Sequence, residues 1–333
     1  MSFKTLVGNR ALVLRLASMS RAKQVPPSLI FTGTAGVGKL QTAIKLAQAQ
    51  NCIQLTGDAC GHCSTCERIA RNTHPDIHLI EPEGPTQQLK AETIRHIVNK
   101  TKVRPFEGRQ SVFIIVDADR MNVTAANALL KTLEEPPEWV LLILITANNS
   151  ALLPTVLSRC QIYRFAPLTV EDLSKILTAE HGFESKRAAL ISTLSEGSLD
   201  TALAFKDESL LNLRKDALNI ANIVSNPFQE KDLVPWADNL SKNSDLLLLL
   251  RLLLGIFRDI AATVAGGSVF HYDLVDNLQR LSSTRSQIVW ISAYQLVEQT
   301  FEDIRDRHLN KRITMSRLLS ELNKLSHSAP VGN

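Results

Sequence analysis

The sequence has little net charge, no long hydrophobic run, and no repeated or low-complexity segment. Its 37 basic and 33 acidic residues leave a formal charge of only +4. That balance fits a mildly basic soluble protein as well as one that touches nucleic acid. The most apolar window, residues 246–256, is interrupted by Arg251 and is too short to cross a bilayer. We therefore interpret it as a buried helix and expect no membrane contact.

The first residues also lack the charged-then-apolar layout of a secretory signal, so we expect a cytoplasmic protein. Disulfides are rare in that reducing compartment. The chain has five cysteines, an odd number, and three of them lie within seven residues. Such clustering in a reduced protein indicates a metal site more than a disulfide framework.

Short apolar runs alternate with helical patterns through the first half of the chain. Five runs predict strands: residues 28–31, 77–80, 112–116, 140–145 and 161–165. Helical patterns fall between them, for example at residues 40–50, 88–100 and 124–134. Parallel strands that are buried on both faces have this pattern. The sequence therefore predicts an α/β fold with a parallel five-stranded sheet covered by helices.

The strand signal stops after Pro167. Short helices are predicted at residues 169–177, 186–194 and 199–205, and long helices from about residue 210 onward, including 283–305 and 310–326. Asn243-Ser244-Asp245 is a helix-start signal before the leucine-rich window. A chain of 333 residues favours two or three domains, and we place boundaries near residues 167 and 208, which divide it into residues 1–167, 168–207 and 208–333.

A glycine-rich loop follows the first predicted strand and opens a helix. Residues 33–40 read GTAGVGKL, which matches the phosphate-binding pattern GxxxxGK. We expect Gly33, Gly36 and Gly38 to turn backbone N–H groups towards phosphates, and Lys39 to reach the outer phosphates. The N-terminus of the helix adds partial positive charge. The sequence therefore predicts a nucleotide-binding loop.

Two positions that an ATPase needs are altered. The loop should continue with a Ser or Thr hydroxyl for Mg²⁺, but the residue is Leu40, and Thr42 lies about 200° further around the helix. Asp117 ends the third predicted strand and could hold Mg²⁺ through water, or it could only cap the strand. Ala118 stands where the catalytic glutamate would be, and Asp119 is a poor substitute. The pattern favours a site that binds ATP or ADP without hydrolysis, or stays empty, because loss of a general base lowers rates by about two to four orders of magnitude.

The clustered cysteines form a CxxCxxC motif with a fourth cysteine eight residues earlier. Four thiolates can close a tetrahedral Zn²⁺ site, and the candidates are Cys52, Cys60, Cys63 and Cys66. Gly57 and Gly61 allow tight turns around a metal. The alternatives are an iron–sulfur cluster, free structural thiols, or His62 or His74 in place of the first cysteine. We predict structural zinc in an insertion at about residues 51–70, and a core thiol at Cys160.

Further blocks of sequence resemble the bacterial clamp-loader AAA+ subunits, both the gamma/tau type and the delta-prime type. The resemblance covers about residues 1–205 well, and the rest only in helical character. After the phosphate loop and cysteines come HPD at 74–76, RPFEGR at 104–109, DADRMN at 117–122, NALLKTLEEPP at 127–137 and LSRC at 157–160. The last two blocks are highly specific together.

Within this family the altered positions look like the delta-prime type. Subunits of the gamma/tau type carry Asp-Glu after the acidic strand and Thr after the loop lysine, where this chain has Ala118 and Leu40. Gly197-Ser198-Leu199 resembles the lid motif. Asp200 stands where an ATPase subunit has a phosphate-sensing arginine, and its charge has the opposite sign.

The resemblance implies an AAA+ P-loop core, a small helical lid and an all-α C-terminal collar that joins a pentameric ring with gamma/tau and delta subunits. That ring belongs to the DNA polymerase III holoenzyme, and it would open the sliding clamp and place it on primed DNA. Arg159 would be an arginine finger that reaches the ATP of a neighbouring subunit. The alternative for Arg159 is a local ion pair.

Two other functions stay open at this point. An active ATPase subunit of the same ring is opposed by Leu40, Ala118 and Asp200 together. A zinc-dependent DNA-binding module would need a basic recognition helix after the ligands. Residues 67–71 are short and mixed in charge, so they fit that role poorly.

Overall fold

The computed structural model describes residues 2–82, 88–205, 209–243, 245–267, 269, 271, 274–305, 307 and 309–327. The chain forms two compact units, Met1–Thr201 and Ala202–Asn333. The predicted domain boundary near residue 167 falls inside the first unit. The predicted boundary near residue 208, and Ser244 of the predicted helix start, lie outside the described residues.

The first unit contains the strands. They are β1 Ser28–Thr32, β2 Ile77–Ile80, β3 Ser111–Ile115, β4 Val140–Thr146 and β5 Gln161–Arg164. The helices that begin in this unit are α1 Arg10–Arg21, α2 Lys39–Asn51, α3 Ser64–Ala70, α4 Ala91–Thr101, α5 Val123–Glu134, α6 Pro154–Leu157, α7 Val170–His181, α8 Ser185–Leu194 and α9 Leu199–Ala204.

All five strands join one parallel sheet in the order β2-β3-β4-β1-β5. The predicted α/β fold with a parallel five-stranded sheet is therefore confirmed. Every residue of β1, β3 and β4 is buried, because one apolar cluster covers each face of the sheet. Burial on both faces explains why these strands are apolar at successive positions instead of alternating.

Because the strands are parallel, their carboxyl ends meet at one edge of the sheet. The glycine loop follows β1, Asp117 comes two residues after β3, and β4 ends at Thr146. Thr146 pairs in register with Thr32, the last residue of β1. Ligands of open parallel sheets bind at this edge, so the fold brings the nucleotide-binding candidates together there.

The second unit consists of helices in the part of it that the structure describes. They are α10 Ser209–Ser225, α11 Glu230–Ser241, α12 Leu246–Val264, α13 Val275–Ser282, α14 Gln287–Arg305 and α15 Lys311–Leu325. α12 packs against α10, α13 and α14, and its Phe257 ring lies 5.9 Å from that of Trp290. The apolar window 246–256 is thus the core helix that we expected. In the described residues we find no helix with the length and hydrophobicity to cross a bilayer.

The predicted helix at residues 283–305 begins later than expected, at Gln287. Ser283 and Thr284 donate their hydroxyls to carbonyls of the preceding turn, at 2.8 and 2.7 Å. Arg285 donates to the carbonyl of Ser326 at 2.5 Å. Hydroxyls that bond back in this way compete with the helix, so the chain turns between α13 and α14.

Candidate functional site

The glycine-rich loop borders a cavity of about 300 Å³ at the carboxyl edge of the sheet. Leu6, Val7, Leu168 and Ile176 give part of its wall an apolar character. The predicted nucleotide-binding residues in its lining are Gly36, Gly38, Lys39, Leu40 and Asp117, and Asp200 of the lid motif lines it as well. Gly33 lies at the start of the loop, where its N–H donates to the carbonyl of Thr146 at 3.3 Å.

Gly36 lies directly beneath the start of α9. It has a φ of +73°, which L side chains rarely adopt. Its carbonyl accepts a hydrogen bond from the N–H of Leu199 at 2.9 Å. A Cβ at Gly36 would lie 2.5 Å from the backbone nitrogen of Asp200. Leu199 and Asp200 therefore contact the glycine-rich loop, and Asp200 lines the same cavity.

Lys39 is bound to the loop itself. The residue is 7% exposed, and its Nζ donates to the carbonyls of Gly33 and Thr34, the latter at 2.6 Å. Burial lowers the pKa of its ammonium group, while the carboxylates of Asp117, Asp200 and Asp119 oppose that shift. Phosphate oxygens would have to replace these carbonyls as partners of the lysine, close to three negative charges.

The metal-binding hydroxyl of a phosphate loop has no counterpart at residue 40. Leu40 is half-buried and packs against the core beneath the loop. The Thr42 hydroxyl donates to the carbonyl of Gly38 at 2.8 Å, within its own helix. As its angular position indicated, Thr42 does not replace the missing hydroxyl.

The acidic segment after β3 carries two carboxylates, Asp117 and Asp119, on either side of Ala118. Asp117 adopts a φ of +48°, and its carboxylate lies 3.5 Å from Nε of Arg120. Ala118 is fully buried against the sheet core. Asp119 accepts a hydrogen bond from the Thr146 hydroxyl at 2.5 Å. That contact directs Asp119 to the end of β4.

The four clustered cysteines come together as one group of sulfurs. The Sγ atoms of Cys52, Cys60, Cys63 and Cys66 all lie within 4.8 Å of one another. A tetrahedral Zn²⁺ with bonds of about 2.3 Å separates its ligand sulfurs by about 3.8 Å. The Cys60 and Cys66 sulfurs are 3.9 Å apart. This spacing of four sulfur donors fits a tetrahedral zinc ion.

Backbone geometry supports the cysteine group. The N–H of Cys63 points at the sulfur of Cys60, and the N–H of Cys66 at the sulfur of Cys63, each at 3.4 Å. Burial disfavours the Cys60 thiolate, but bonds from His62 and Cys63 lower its pKa to about 6. Burial raises the pKa of Cys66 to about 12. Gly61, with a φ of +77°, makes the turn inside the motif.

Both histidine alternatives have other partners. His62 lies 3.0 Å from the Gln54 amide nitrogen and 3.0 Å from the Cys60 carbonyl. His74 is buried, and its Nδ1 accepts the N–H of Asp76 at 3.2 Å. Cys160 lies outside the cysteine group and packs beside the sheet core, where burial raises its pKa to about 12.

The segments 74–76 and 104–109 are joined by a carboxylate. Asp76 is 4% exposed and accepts N–H bonds from Phe106 at 2.6 Å, Glu107 at 3.0 Å and Gly108 at 2.7 Å. Arg109 donates to the carbonyl of Cys52 at 3.0 Å. This loop therefore ties the cysteine segment to the start of β3, a contact that sequence reasoning did not find.

Arg159 lies away from the cavity, just after α6. Its side chain is 33% exposed. It donates from Nε and Nη2 to Oε1 of Glu134, at 2.8 and 2.5 Å, and from Nη1 to the carbonyl of Thr155 at 2.8 Å. Sequence reasoning missed Glu134 as a partner. The available signal was its position in the NALLKTLEEPP block, which is one of the two most specific ones.

Comparisons with known proteins find similarity to subunits of DNA polymerase III. A family model described as DNA polymerase III, delta subunit, matches residues 8–169, which include the phosphate loop, the four cysteines and Arg159. The chain is 27% identical over 268 residues to DNA polymerase III subunit delta′ of Bacillus subtilis, covering 78% of this chain and 80% of that protein. It is 34% identical over 215 residues to DNA polymerase III subunit tau of Escherichia coli, covering 63% of this chain and 33% of tau.

Among solved structures, a DNA polymerase III gamma-subunit-related protein of Thermotoga maritima aligns over 94% of this chain and 99% of its own. The identity is 20% and the TM-score is 0.46. The matched region thus spans most of the delta′ relative and about a third of the tau relative.

Proposed function

We propose that this chain, which belongs to the clamp-loader AAA+ subunits of the delta-prime and gamma/tau family, acts as the delta-prime-type subunit of a replicative clamp loader. In that role it joins gamma/tau and delta subunits in a pentameric ring. The ring opens the sliding clamp and places it on primed DNA in the cytoplasm. The subunit itself hydrolyses no ATP and supplies an arginine finger to a neighbour.

The observation that carries this proposal is the altered chemistry around Lys39. Hydrolysis needs a hydroxyl on Mg²⁺ and a base for the attacking water. Leu40 replaces the hydroxyl, and the buried Ala118 replaces the base. Asp119 is held by Thr146. Each change alone lowers turnover, and both are present.

The proposed binding site for the nucleotide is weakened. Glycine-rich backbone and an apolar wall remain around the cavity, so ATP or ADP can be accommodated without being hydrolysed. Binding phosphates requires Lys39 to leave the carbonyls of Gly33 and Thr34. Asp200 adds negative charge where an active subunit has a cation. These features support weak occupancy at most.

The four-cysteine group is proposed as a structural Zn²⁺ site. Cys52, Cys60, Cys63 and Cys66 would be its ligands, and the ion would replace a hydrophobic core in this segment. The buried cluster there contains little beyond Cys52, Ala59 and Cys66. The ligand set leaves no open coordination position, which is the arrangement of structural zinc.

Arg159 is proposed as the arginine finger. Its pair with Glu134 is exposed on both sides, so that pair contributes about 0–1 kcal/mol to folding. The pair with Glu134 therefore contributes little to the fold, and the partly exposed guanidinium can serve a neighbour. A guanidinium beside the γ-phosphate stabilises the charge that spreads over the phosphoryl oxygens during transfer.

ATP turnover by the isolated protein tests the proposal. We expect no turnover above background, because Leu40 and Ala118 are both altered. Leu40→Thr alone should stay inactive, since the base would still be absent. Turnover that depends on Lys39 would contradict the proposal and would assign the chain to the active gamma/tau type, of which tau is 34% identical to it.

A further inference from the structure

Glu134 is the carboxylate partner of Arg159 in this chain. We propose that Glu134 is a positioning residue that aims the Arg159 guanidinium at the nucleotide of the neighbouring subunit. The inference rests on the proposed function of Arg159 as a finger. It adds a second residue, 25 positions away in the chain, on which the action of that finger depends.

The geometry of the pair fixes one edge of the guanidinium. Nε and Nη2 both lie against Oε1 of Glu134, at 2.8 and 2.5 Å. These two nitrogens form the side edge of the planar group. The Thr155 carbonyl accepts from Nη1 at 2.8 Å, and Ser158 Oγ lies 3.2 Å from Nη1. The plane of the group is thus held from two directions.

A guanidinium has five N–H donors, and this arrangement commits most of them within the chain. The side edge is taken by Glu134, and one Nη1 hydrogen by Thr155. The remaining hydrogens are one on Nη2 and one on Nη1, the latter with only the long contact to Ser158. The Nη2 hydrogen that faces away from Glu134 can therefore donate to a phosphate oxygen.

Glu134 is itself attached to a rigid element. It is the last residue of α5, whose Leu129 and Leu133 are buried in the core that covers the sheet. Arg159 follows the four-residue helix α6, which packs against α5. An arginine has many rotamers, so a fixed carboxylate reduces the number of orientations that the finger must lose on reaching phosphate.

The test uses the complete loader, reconstituted with the sliding clamp and primed DNA, and measures kcat and KM for ATP. Glu134→Ala should lower kcat by about two- to fivefold, which corresponds to an exposed ion pair of up to about 1 kcal/mol. The effect should fall on kcat more than on KM. Glu134→Gln keeps an acceptor oxygen and should retain most of the activity. Glu135→Ala, an exposed neighbour, should behave as wild type.

A double-mutant cycle decides whether Glu134 acts through Arg159. In an Arg159→Ala background, Glu134→Ala should change nothing further. The inference is overturned if Arg159→Ala lowers turnover but Glu134→Ala leaves it unchanged. It is also overturned if Glu134→Ala raises turnover, because the carboxylate would then only restrain the finger. If Arg159→Ala itself has no effect on the loader, the finger proposal fails instead.

Discussion

Replacing Asp76 with Ala should release the loop that carries Phe106. The carboxylate accepts three backbone N–H bonds, from Phe106 at 2.6 Å, Glu107 at 3.0 Å and Gly108 at 2.7 Å. Hydrogen bonds to a charged group contribute about 1.5–3 kcal/mol each. Phe106 is 86% exposed, so water can solvate part of the freed backbone. We therefore expect a net loss of about 3 kcal/mol in the free energy of unfolding.

Thermal unfolding of the full chain at neutral pH measures this loss. For a unit of the size of Met1–Thr201, about 3 kcal/mol lowers Tm by about 6–12 °C. Glu138→Ala is the matched control, because Glu138 is exposed and lies near the start of β4. It should stay within about 0.5 kcal/mol of wild type. An Asp76→Ala protein as stable as this control would refute the reasoning.

The same variant should show a dependence on pH. Burial disfavours the Asp76 carboxylate, but bonds from Glu107, Phe106 and Gly108 hold its pKa below the usual value. A group whose pKa is lower in the folded state stabilises the fold above its unfolded pKa of about 3.9, and that contribution is lost as the pH falls through the folded pKa. The difference between wild type and Asp76→Ala should therefore be full at neutral pH and shrink in acid. A difference that persists undiminished would contradict the assigned role of the charge.

The remaining predictions concern the metal, the second unit and assembly. Elemental analysis should find about one zinc per chain, and chelation or Cys66→Ser should unfold the 51–70 segment; a folded, metal-free chain that ignores chelators would exclude the site. His271→Ala removes the imidazole that lies 2.6 Å from the fully buried Asp259 carboxylate, and it should lower the free energy of unfolding in urea by about 3 kcal/mol. An unchanged urea midpoint would contradict this prediction. Deleting residues 208–333 should abolish assembly with other loader subunits in size-exclusion chromatography while the first 205 residues stay folded; a truncated chain that still assembles would refute this.

The sheet could be predicted from the sequence because burial on both faces leaves a strong local signal. The apolar runs at 28–31 and 140–145 differ from β1 and β4 by one residue each. The bounds of the helices in the second unit were harder to predict from the sequence than the strands of the sheet. The turn at Ser283 and Thr284 depends on hydroxyls that donate back to the preceding helix, and the spacing of apolar residues does not reveal these hydrogen bonds.

The candidate site also has a part that the sequence predicted and a part that only the structure revealed. The phosphate loop and the cysteine group are short motifs, so their spacing alone predicted which residues come together. The partners that complete the site are distant in sequence. Arg159 lies 25 residues from Glu134, and Asp76 lies 30 from Phe106. Only the folded sheet and helices bring such residues together, so the local pattern marked Glu134 as part of a specific block without pairing it with Arg159.

In the proposed role this chain serves the ATP site of a neighbouring subunit and hydrolyses no ATP itself. The direct measurement is ATP hydrolysis by the assembled loader, stimulated by DNA and the sliding clamp, with wild-type chain or Arg159→Ala. Arginine fingers contribute about three to five orders of magnitude at the site they serve, and a ring with several sites dilutes that loss. We predict a clearly lower turnover with unchanged Tm, zinc content and assembly, and poor rescue by Arg159→Lys. Unchanged turnover in a correctly assembled loader would contradict the account.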